Sequence, residues 1–345
     1  MKHQHSVQQL NLLYSNQAML LSEASRIYFV RKTGLLKPKT IMLYTDALHL
    51  LTKFLDNPPI ASITQHLIES WRTDLLAERT LYEGHPNRPE KVGYLSIATV
   101  RKHLGHARTM FKWASASAEI PQLNHNPFMG VQFPTLPPQQ PKAIHPDDIR
   151  SLIHSVESAD YSAGYNNKTA RALLARNVAI IHFLRSTGCR IEGATTLKLG
   201  NVKINATDGH AIVSEKARGA KKDRAVPMDE ECCLAFLEWL DLHPSNIGRN
   251  QYAFVGLHGK TFSKQLKSRA VSSMLHRAAK RVELNDRHNP HSFRHRAITR
   301  WVEQLGVVKA SKLAGHTDIK TTEKFYARFT INHILADLRE AKETY

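Results

Sequence analysis

The sequence predicts a mainly α-helical protein of two domains, with a small antiparallel β-sheet in the second domain. Apolar residues recur at three- and four-residue intervals over most of the 345-residue chain, which is the spacing of a buried helix face. Prolines concentrate between residues 127 and 146, where helical spacing is almost absent, and this composition is typical of an extended linker. Residues 209–228 alternate with a period of two instead, which indicates strands.

Four helices are predicted before the linker. The first lies within residues 1–35, the second begins at Pro38, the third is capped by Thr64, and the fourth spans about residues 97–115. Residues 80–96 hold two glycines and two prolines and are predicted to form a loop.

The fourth helix carries a basic stripe, in which Arg101, Arg108 and Lys112 recur at helical intervals beside an apolar face. In most proteins such a stripe is only a solvated surface, but the charge of this chain favours another interpretation. Lys and Arg outnumber Asp and Glu 48 to 30, and residues 260–300 hold 11 of these basic residues against two acidic ones. This balance favours an extended polyanion as partner, so we expect the stripe to lie along nucleic acid phosphates.

Composition also excludes several classes of protein. The three cysteines, two of them adjacent at Cys232 and Cys233, lack the spacing of a disulfide framework and favour a reducing compartment. No Cys-x-x-Cys pair occurs and the 20 histidines are dispersed, so no metal site is predicted. Because no apolar run is long enough to cross a membrane, we expect a soluble, cytoplasmic protein.

The second domain is predicted to begin with a helix at Pro146 and to continue with a longer helix that ends at Gly188. Two strands should follow, joined by a cationic loop that contains Lys216, Lys221 and Lys222. Further helices are predicted at residues 229–242, at 266–282, from His291 onward, and at 331–341.

Five side chains of the second half suit the attack of a tyrosine on a phosphodiester without a metal ion: Arg190, His291, Arg294, His316 and Tyr326. Guanidinium groups match the charge that develops on the non-bridging phosphate oxygens. A phenol, with a pKa of about 10, becomes a nucleophile when cations or a base assist loss of its proton. The leaving sugar oxygen needs a general acid, for which a lysine or a histidine is suitable.

The order and spacing of these residues resemble the catalytic signature of the tyrosine recombinases, the phage integrase family. The resemblance covers roughly residues 145–330 and is carried by five separated elements, which are Thr187 to Arg190, His291 to His295, Leu313 to His316, Thr321-Thr322, and Tyr326. Each element alone is weak evidence, whereas the five together are specific.

The resemblance implies a role for each matching residue. Arg190 and Arg294 would bind the scissile phosphate, His291 and His316 would assist, and Tyr326 would form a 3′-phosphotyrosyl bond. A catalytic lysine is implied on the strand hairpin. Lys216 is nearest the end of the first strand, while Lys221 and Lys222 remain candidates for that role or for phosphate contacts.

Two positions depart from the family pattern. The family usually has an acidic residue three positions after its first arginine, but here Gly193 holds that place and Glu192 precedes it. The support of Arg190 is therefore expected to differ. The tyrosine most often lies nine positions after the second histidine, where this chain has Phe325, so the role passes to Tyr326.

The resemblance also implies a layout and partners. It divides the chain into an N-terminal segment, a SAM-like helical core-binding domain, a linker, a catalytic domain and a tail helix, at residues 1–35, 36–130, 131–146, 147–330 and 331–345. Four protomers would assemble on two double-stranded DNA sites, with neither metal, ATP nor another cofactor. Two alternatives stay open at this point: a DNA-relaxing enzyme of the type IB topoisomerase kind, and a DNA-binding protein that has lost catalysis.

Overall fold

The computed structural model describes residues 18–86, 88–137, 143–205, 207–217, 220–244, 248–284 and 288–326. The chain divides into two compact units, residues 1–139 and residues 140–345. Eleven α-helices and two small antiparallel sheets occur in the described part, which confirms the predicted fold class. None of these helices is long and apolar enough to span a membrane.

The first unit is a cluster of four helices, with bounds α1 Leu21–Lys32, α2 Pro38–Leu55, α3 Gln65–Leu76 and α4 Ile97–Ala114. The side chain of Thr64 accepts a hydrogen bond from the Leu67 amide at the start of α3, as the sequence predicts. The helices bury Tyr28, Trp71 and Phe111 at their centre. Most of the predicted first helix is present, but residues 1–17 lie outside the described part.

The prediction of a loop at residues 80–96 is wrong in part, because this segment contains most of a short antiparallel hairpin. Strand β1 covers Arg79–Leu81 and β2 covers Lys91–Gly93, with Thr80 opposite Val92. Each strand has only three residues and neither is fully buried, so apolar alternation gives no signal there.

The second unit contains seven helices and a three-stranded sheet. Its elements are α5 Pro146–Glu157, α6 Asn167–Thr187, α7 Ile191–Thr196, β3 Val202–Ile204, β4 Gly209–Ala217, β5 Ala220–Met228, α8 Glu230–Asp241, α9 Ser268–Arg281, α10 Pro290–Ala314 and α11 Lys320–Tyr326. The rings of Phe183, Phe236 and Phe254 pack together in its core. The predicted tail helix at residues 331–341 lies outside the described residues.

Strands β4 and β5 are longer than predicted, and residues 216–217 and 220–222, which were expected in the cationic loop, are paired strand. Lys216 in β4 is opposite Lys221 in β5, and Glu215 is opposite Lys222. Residues 211, 213 and 215 of β4 are all buried, so the alternation continues through a carboxylate. A search for apolar alternation stops at such a residue, which explains the shorter prediction.

Helix α10 is broken at Gly306, whose backbone is not helical (φ 78°, ψ 164°). The apolar spacing of this segment predicts a buried face that contains Phe293, Ala297, Trp301 and Leu305; the first three are buried, whereas Leu305 is exposed. The break divides α10 into a segment that carries Arg294 and a segment that leads to His316.

Candidate active site

The end of α6 and the first segment of α10 meet at Gly188. A Cβ atom on Gly188 would lie 2.7 Å from the Cβ of Ala297, so only a glycine lets α10 approach this closely. Gly188 ends α6, and Arg190 then caps the start of α7 two residues later. The close approach therefore brings the predicted first arginine next to the helix that carries the second.

Arg294 is a buried arginine that joins two of the predicted motifs. Its Nη1 donates to the carbonyl oxygen of Gly188 at 2.8 Å, and its Nη2 donates to that of Ala314 at 2.5 Å. Burial, together with the nearby Arg190 guanidinium, lowers the pKa of Arg294 to about 10. Arg294 therefore remains charged near neutral pH, in an orientation that two main-chain oxygens define.

Glu215 lies at the centre of the cluster, with its side chain only 4% exposed. Its Oε2 is 2.8 Å from Nη1 of Arg190, 3.4 Å from Nε of Arg224 and 3.8 Å from Nη1 of Arg294. Its Oε1 accepts a hydrogen bond from the Arg190 backbone amide. Burial raises the pKa of the Glu215 carboxyl, but the Arg224 guanidinium, the Arg190 amide and the Arg294 guanidinium hold it below its ordinary value.

Arg224 of β5 links this carboxylate to the C-terminal end of α10. Its Nη1 donates to the carbonyl oxygen of Leu313, while its Nε and Nη2 approach Glu215. A Cβ on Gly315 would lie 2.8 Å from Cδ of Arg224, so the arginine packs directly on the motif that leads to His316.

His316 is held by the helix that leads to the predicted nucleophile. Its Nδ1 is 2.8 Å from Oγ1 of Thr322, which is buried in α11. Burial and then the charges of Arg294, Arg190 and Arg224 lower the pKa of His316 to about 4. The imidazole is therefore neutral near neutral pH, with its Nδ1 engaged by Thr322.

His291 lies in the first turn of α10, where its backbone amide donates to the Asn289 side chain. Much of its side chain is accessible to solvent. Desolvation of the remainder, together with the positive charges of Arg294 and Arg190, lowers the pKa of His291. His295, one turn later, also has a lowered pKa through burial, His291 and Arg294.

The remaining predicted catalytic residues lie at element ends. Lys216 is next to the last residue of β4, and Tyr326 is the last residue of α11. The side chains of Lys216, Lys221 and Tyr326 lie outside the described part, so their roles stay predictions. Lys222 is exposed on β5.

The basic stripe of α4 contacts its own unit as well as solvent. Nη1 of Arg101 donates to the carbonyl oxygen of Pro134 at 2.7 Å, and the Arg108 guanidinium lies 4.6 Å from the centre of the Phe133 ring. Arg108 and Lys112 are exposed, while Arg101 is half-buried. Contact of these residues with phosphates stays a prediction. Among the described residues, no group of three or more His, Cys, Asp or Glu is arranged to hold a metal ion.

Sequence reasoning missed Glu215 and Arg224. Both belong to the hairpin that was predicted, and Arg224 was assigned to its second strand. The available signal was the continued alternation of β4, in which an acid occupies a buried position that valine would normally fill. A buried acid requires basic partners, and in the structure Arg224 lies on the neighbouring strand opposite Val213, two residues from Glu215 along β4.

The sequence profile of the phage integrase family matches residues 142–333. The chain belongs to the phage integrase family. This finding confirms the resemblance and the predicted enzyme class, tyrosine recombinase. The recombinase is similar to the tyrosine recombinase XerC of Alcanivorax borkumensis, with 25% identity over 291 residues that cover 79% of this chain and 86% of that protein. It is 23% identical to XerC of Escherichia coli over 300 residues, which cover 87% and 88% of the two chains.

Solved structures show the same fold. The Tn1549 transposon integrase in complex with transposon right end DNA has a TM-score of 0.65 at 17% identity, covering 94% of this chain and all of that chain. A lambda integrase dimer bound to a COC′ core site has a TM-score of 0.63 at 15% identity, with 91% and 79% covered. Because these relatives are recombinases and integrases, the topoisomerase alternative is not favoured.

Proposed function

We propose that this protein is a site-specific DNA recombinase in which Tyr326 attacks a scissile phosphate. The attack forms a 3′-phosphotyrosyl bond and releases a 5′-hydroxyl, and a 5′-hydroxyl from a partner duplex then displaces the tyrosine. The ester bond conserves the energy of the broken bond, so this scheme needs neither ATP nor a metal ion. The observation that carries the proposal is the grouping of Arg190, Arg294 and His316 around Glu215 in the domain that defines the family.

The two arginines would bind the non-bridging oxygens of the phosphate. Their planar, permanently charged groups stabilise the additional charge of the transition state more than that of the ground state. Arg294 is already oriented by Gly188 and Ala314, and Arg190 by Glu215, which supports this role because oriented donors need little rearrangement as charge develops.

The histidines would act in their neutral form. With Nδ1 of His316 bonded to Thr322, its Nε2 can either donate a hydrogen bond to a phosphate oxygen or accept the phenol proton. His291 is exposed beside the same arginines and is suited to a second such contact. Lys216 would donate a proton to the leaving 5′-oxygen, with Lys221 and Lys222 as the alternatives in that hairpin.

The proposed partner is double-stranded DNA that carries the recombination sites. The basic charge of the chain supports it, as do the DNA-bound structures of the lambda and Tn1549 integrases. We further propose that four protomers assemble on two sites, that Arg101, Arg108 and Lys112 contribute phosphate contacts from the first unit, and that the protein acts in the cytoplasm.

Replacement of the nucleophile tests the proposal. Tyr326→Phe removes one oxygen, so DNA affinity should change little while the covalent protein–DNA adduct disappears. The adduct can be measured on a nicked suicide duplex, whose sequence is first selected from a random library by binding to the protein. EDTA should leave the wild-type adduct unchanged.

Two matched variants control for the neighbouring aromatic residues. Tyr345→Phe should form the adduct as the wild type does, and Phe325→Tyr combined with Tyr326→Phe should not restore it. An adduct with Tyr326→Phe alone would show that another residue is the nucleophile.

A further inference from the structure

We infer that Glu215 is the carboxylate that positions Arg190 and balances the charge of Arg294, and that Gly193 leaves the space in which it does so. The inference rests on the proposed function, since it assigns a positioning role within the same site. It also answers the question that the sequence raised, namely what supports Arg190 where the expected acidic residue is absent.

The contacts of Glu215 single it out. One carboxylate faces three guanidinium groups, those of Arg190, Arg224 and Arg294, and also accepts the backbone amide of Arg190. Side chain and main chain of Arg190 are therefore fixed by the same acid. Without that negative charge, three like charges would repel one another in a largely dehydrated space, where screening is weak.

The acid nearest to Arg190 in sequence does not share this environment. Glu192 is exposed in the first turn of α7, and no ion pair within 4.0 Å involves its side chain in the described part of the chain. Its main-chain carbonyl oxygen accepts hydrogen bonds from the hydroxyls of Thr195 and Thr196, and these contacts do not involve its carboxylate. Glu192 is therefore a matched control for Glu215.

Gly193 and Glu215 compete for one space. A Cβ atom at position 193 would lie 3.0 Å from Cγ of Glu215 and 3.0 Å from its Oε1. A side chain at Gly193 would thus displace the carboxylate, whereas the glycine lets β4 supply it from the other side. The same distances mean that a short acid at position 193 could reach the place that the Glu215 carboxylate occupies.

Glu215 also connects parts of the site that are far apart in sequence. Arg190 begins α7, Arg294 lies in α10, and Arg224 carries the contact on to the Leu313 carbonyl just before His316. A change at this one carboxylate should therefore alter the phosphate-binding groups together. It should act on the chemical step more than on DNA affinity, because affinity depends mainly on many contacts to the DNA backbone.

The test compares Glu215→Gln with Glu192→Gln in single-turnover adduct formation on the selected suicide duplex. Glu215→Gln keeps the shape but not the charge, and should slow the reaction about 100-fold, the size expected when oriented electrostatic groups are lost. DNA affinity should stay within about threefold, since the phosphate contacts elsewhere persist. Glu192→Gln should react at the wild-type rate.

A variant in which the carboxylate is moved from position 215 to position 193, the relocation variant, separates a positioning role of Glu215 from a merely structural one. Glu215→Ala combined with Gly193→Asp returns a carboxylate to the cluster from α7, and it should react at least about tenfold faster than Glu215→Ala alone. Thermal melting of each variant reports whether it is folded. A folded Glu215→Gln protein with the wild-type rate would overturn the inference, as would a relocation variant no faster than Glu215→Ala.

Failure of the proposed function and failure of the role of Glu215 would give different results. If the wild-type protein forms no adduct on any selected duplex, the proposed function is wrong. If the wild type forms the adduct and Glu215→Gln forms it equally fast, the function stands and only the role of Glu215 is wrong.

Discussion

The arginines proposed to bind phosphate and the candidate general acids come from two regions of the second unit that differ in their surroundings. Arg294 is buried, with both terminal nitrogens on main-chain oxygens, and Arg190 is bonded to a buried carboxylate. Lys216 and Lys221 instead form the pair next to the end of a two-stranded hairpin, beside the exposed Lys222. Under the proposed roles, contacts across the fold orient the groups that stabilise charge, whereas the proton donor is one of several neighbouring lysines of a single hairpin.

The largest effect is expected when an oriented guanidinium is replaced. Arg294→Lys keeps the charge but cannot bond Gly188 and Ala314 at once, so adduct formation should fall by about 10³-fold. Single-turnover cleavage measures this rate. Arg296→Lys is the control, because Arg296 is half-buried two residues away, and this variant should react at nearly the wild-type rate. Equal rates for Arg294→Lys and the wild type would mean that charge alone suffices there.

An effect of overlapping size is expected in the hairpin. Lys216→Ala should slow cleavage by about 10²- to 10⁴-fold, the usual contribution of a general acid. A substrate with a 5′-bridging phosphorothiolate has a leaving group that needs little protonation, so it should restore cleavage to this variant. Lys221→Ala and Lys222→Ala are matched controls that should show little rescue, and rescue of Lys221→Ala instead would reassign the acid.

The smallest expected effect is on the pH dependence of thermal stability, which should change on replacement of His316 but not on replacement of Lys222. The pKa of His316 is lowered from 6.5 to about 4 in the folded protein, so as pH falls the unfolded chain binds a proton at this histidine before the folded protein does. The contribution of neutral His316 to the free energy of unfolding is therefore fully present above pH 6.5 and is lost as pH falls towards 4. Thermal melting should show this decline, and His316→Gln should make it shallower. Lys222→Ala should leave the slope unchanged, because Lys222 is not among the groups that shift this histidine.

Much of the fold could be predicted because its signals are local. Apolar spacing located α2, α3 and α4, and Thr64 was recognised as a cap from its position before an apolar face. The hairpin of residues 79–93 was not predictable in this way, since its strands are three residues long and mostly solvated. Periodicity needs several buried residues before it becomes a signal.

The site divides along a similar line. Arg190, His291, Arg294, His316 and Tyr326 could be proposed as site residues from the sequence because they lie in short motifs with fixed spacing. Glu215 was not, because its meaning depends on Arg190, Arg224 and Arg294, which only the fold brings to it. The internal contact of Arg101 with Pro134 was also beyond prediction, since a charged side chain on a helix face gives no indication of a main-chain acceptor 33 residues away.

The break at Gly306 places a limit on how this protein can be redesigned. Leaving aside its chain neighbours and the backbone of its own helix, no atom of the described residues lies within 4 Å of the position that a Cβ would take there, so the space around Gly306 would accommodate many side chains. Its dihedral angles (φ 78°, ψ 164°) nevertheless belong to a region that is essentially restricted to glycine. A survey of packing alone would rank position 306 among the most permissive in the chain. The torsion angles make it one of the least permissive, because straightening α10 would pull Ala314 away from Arg294.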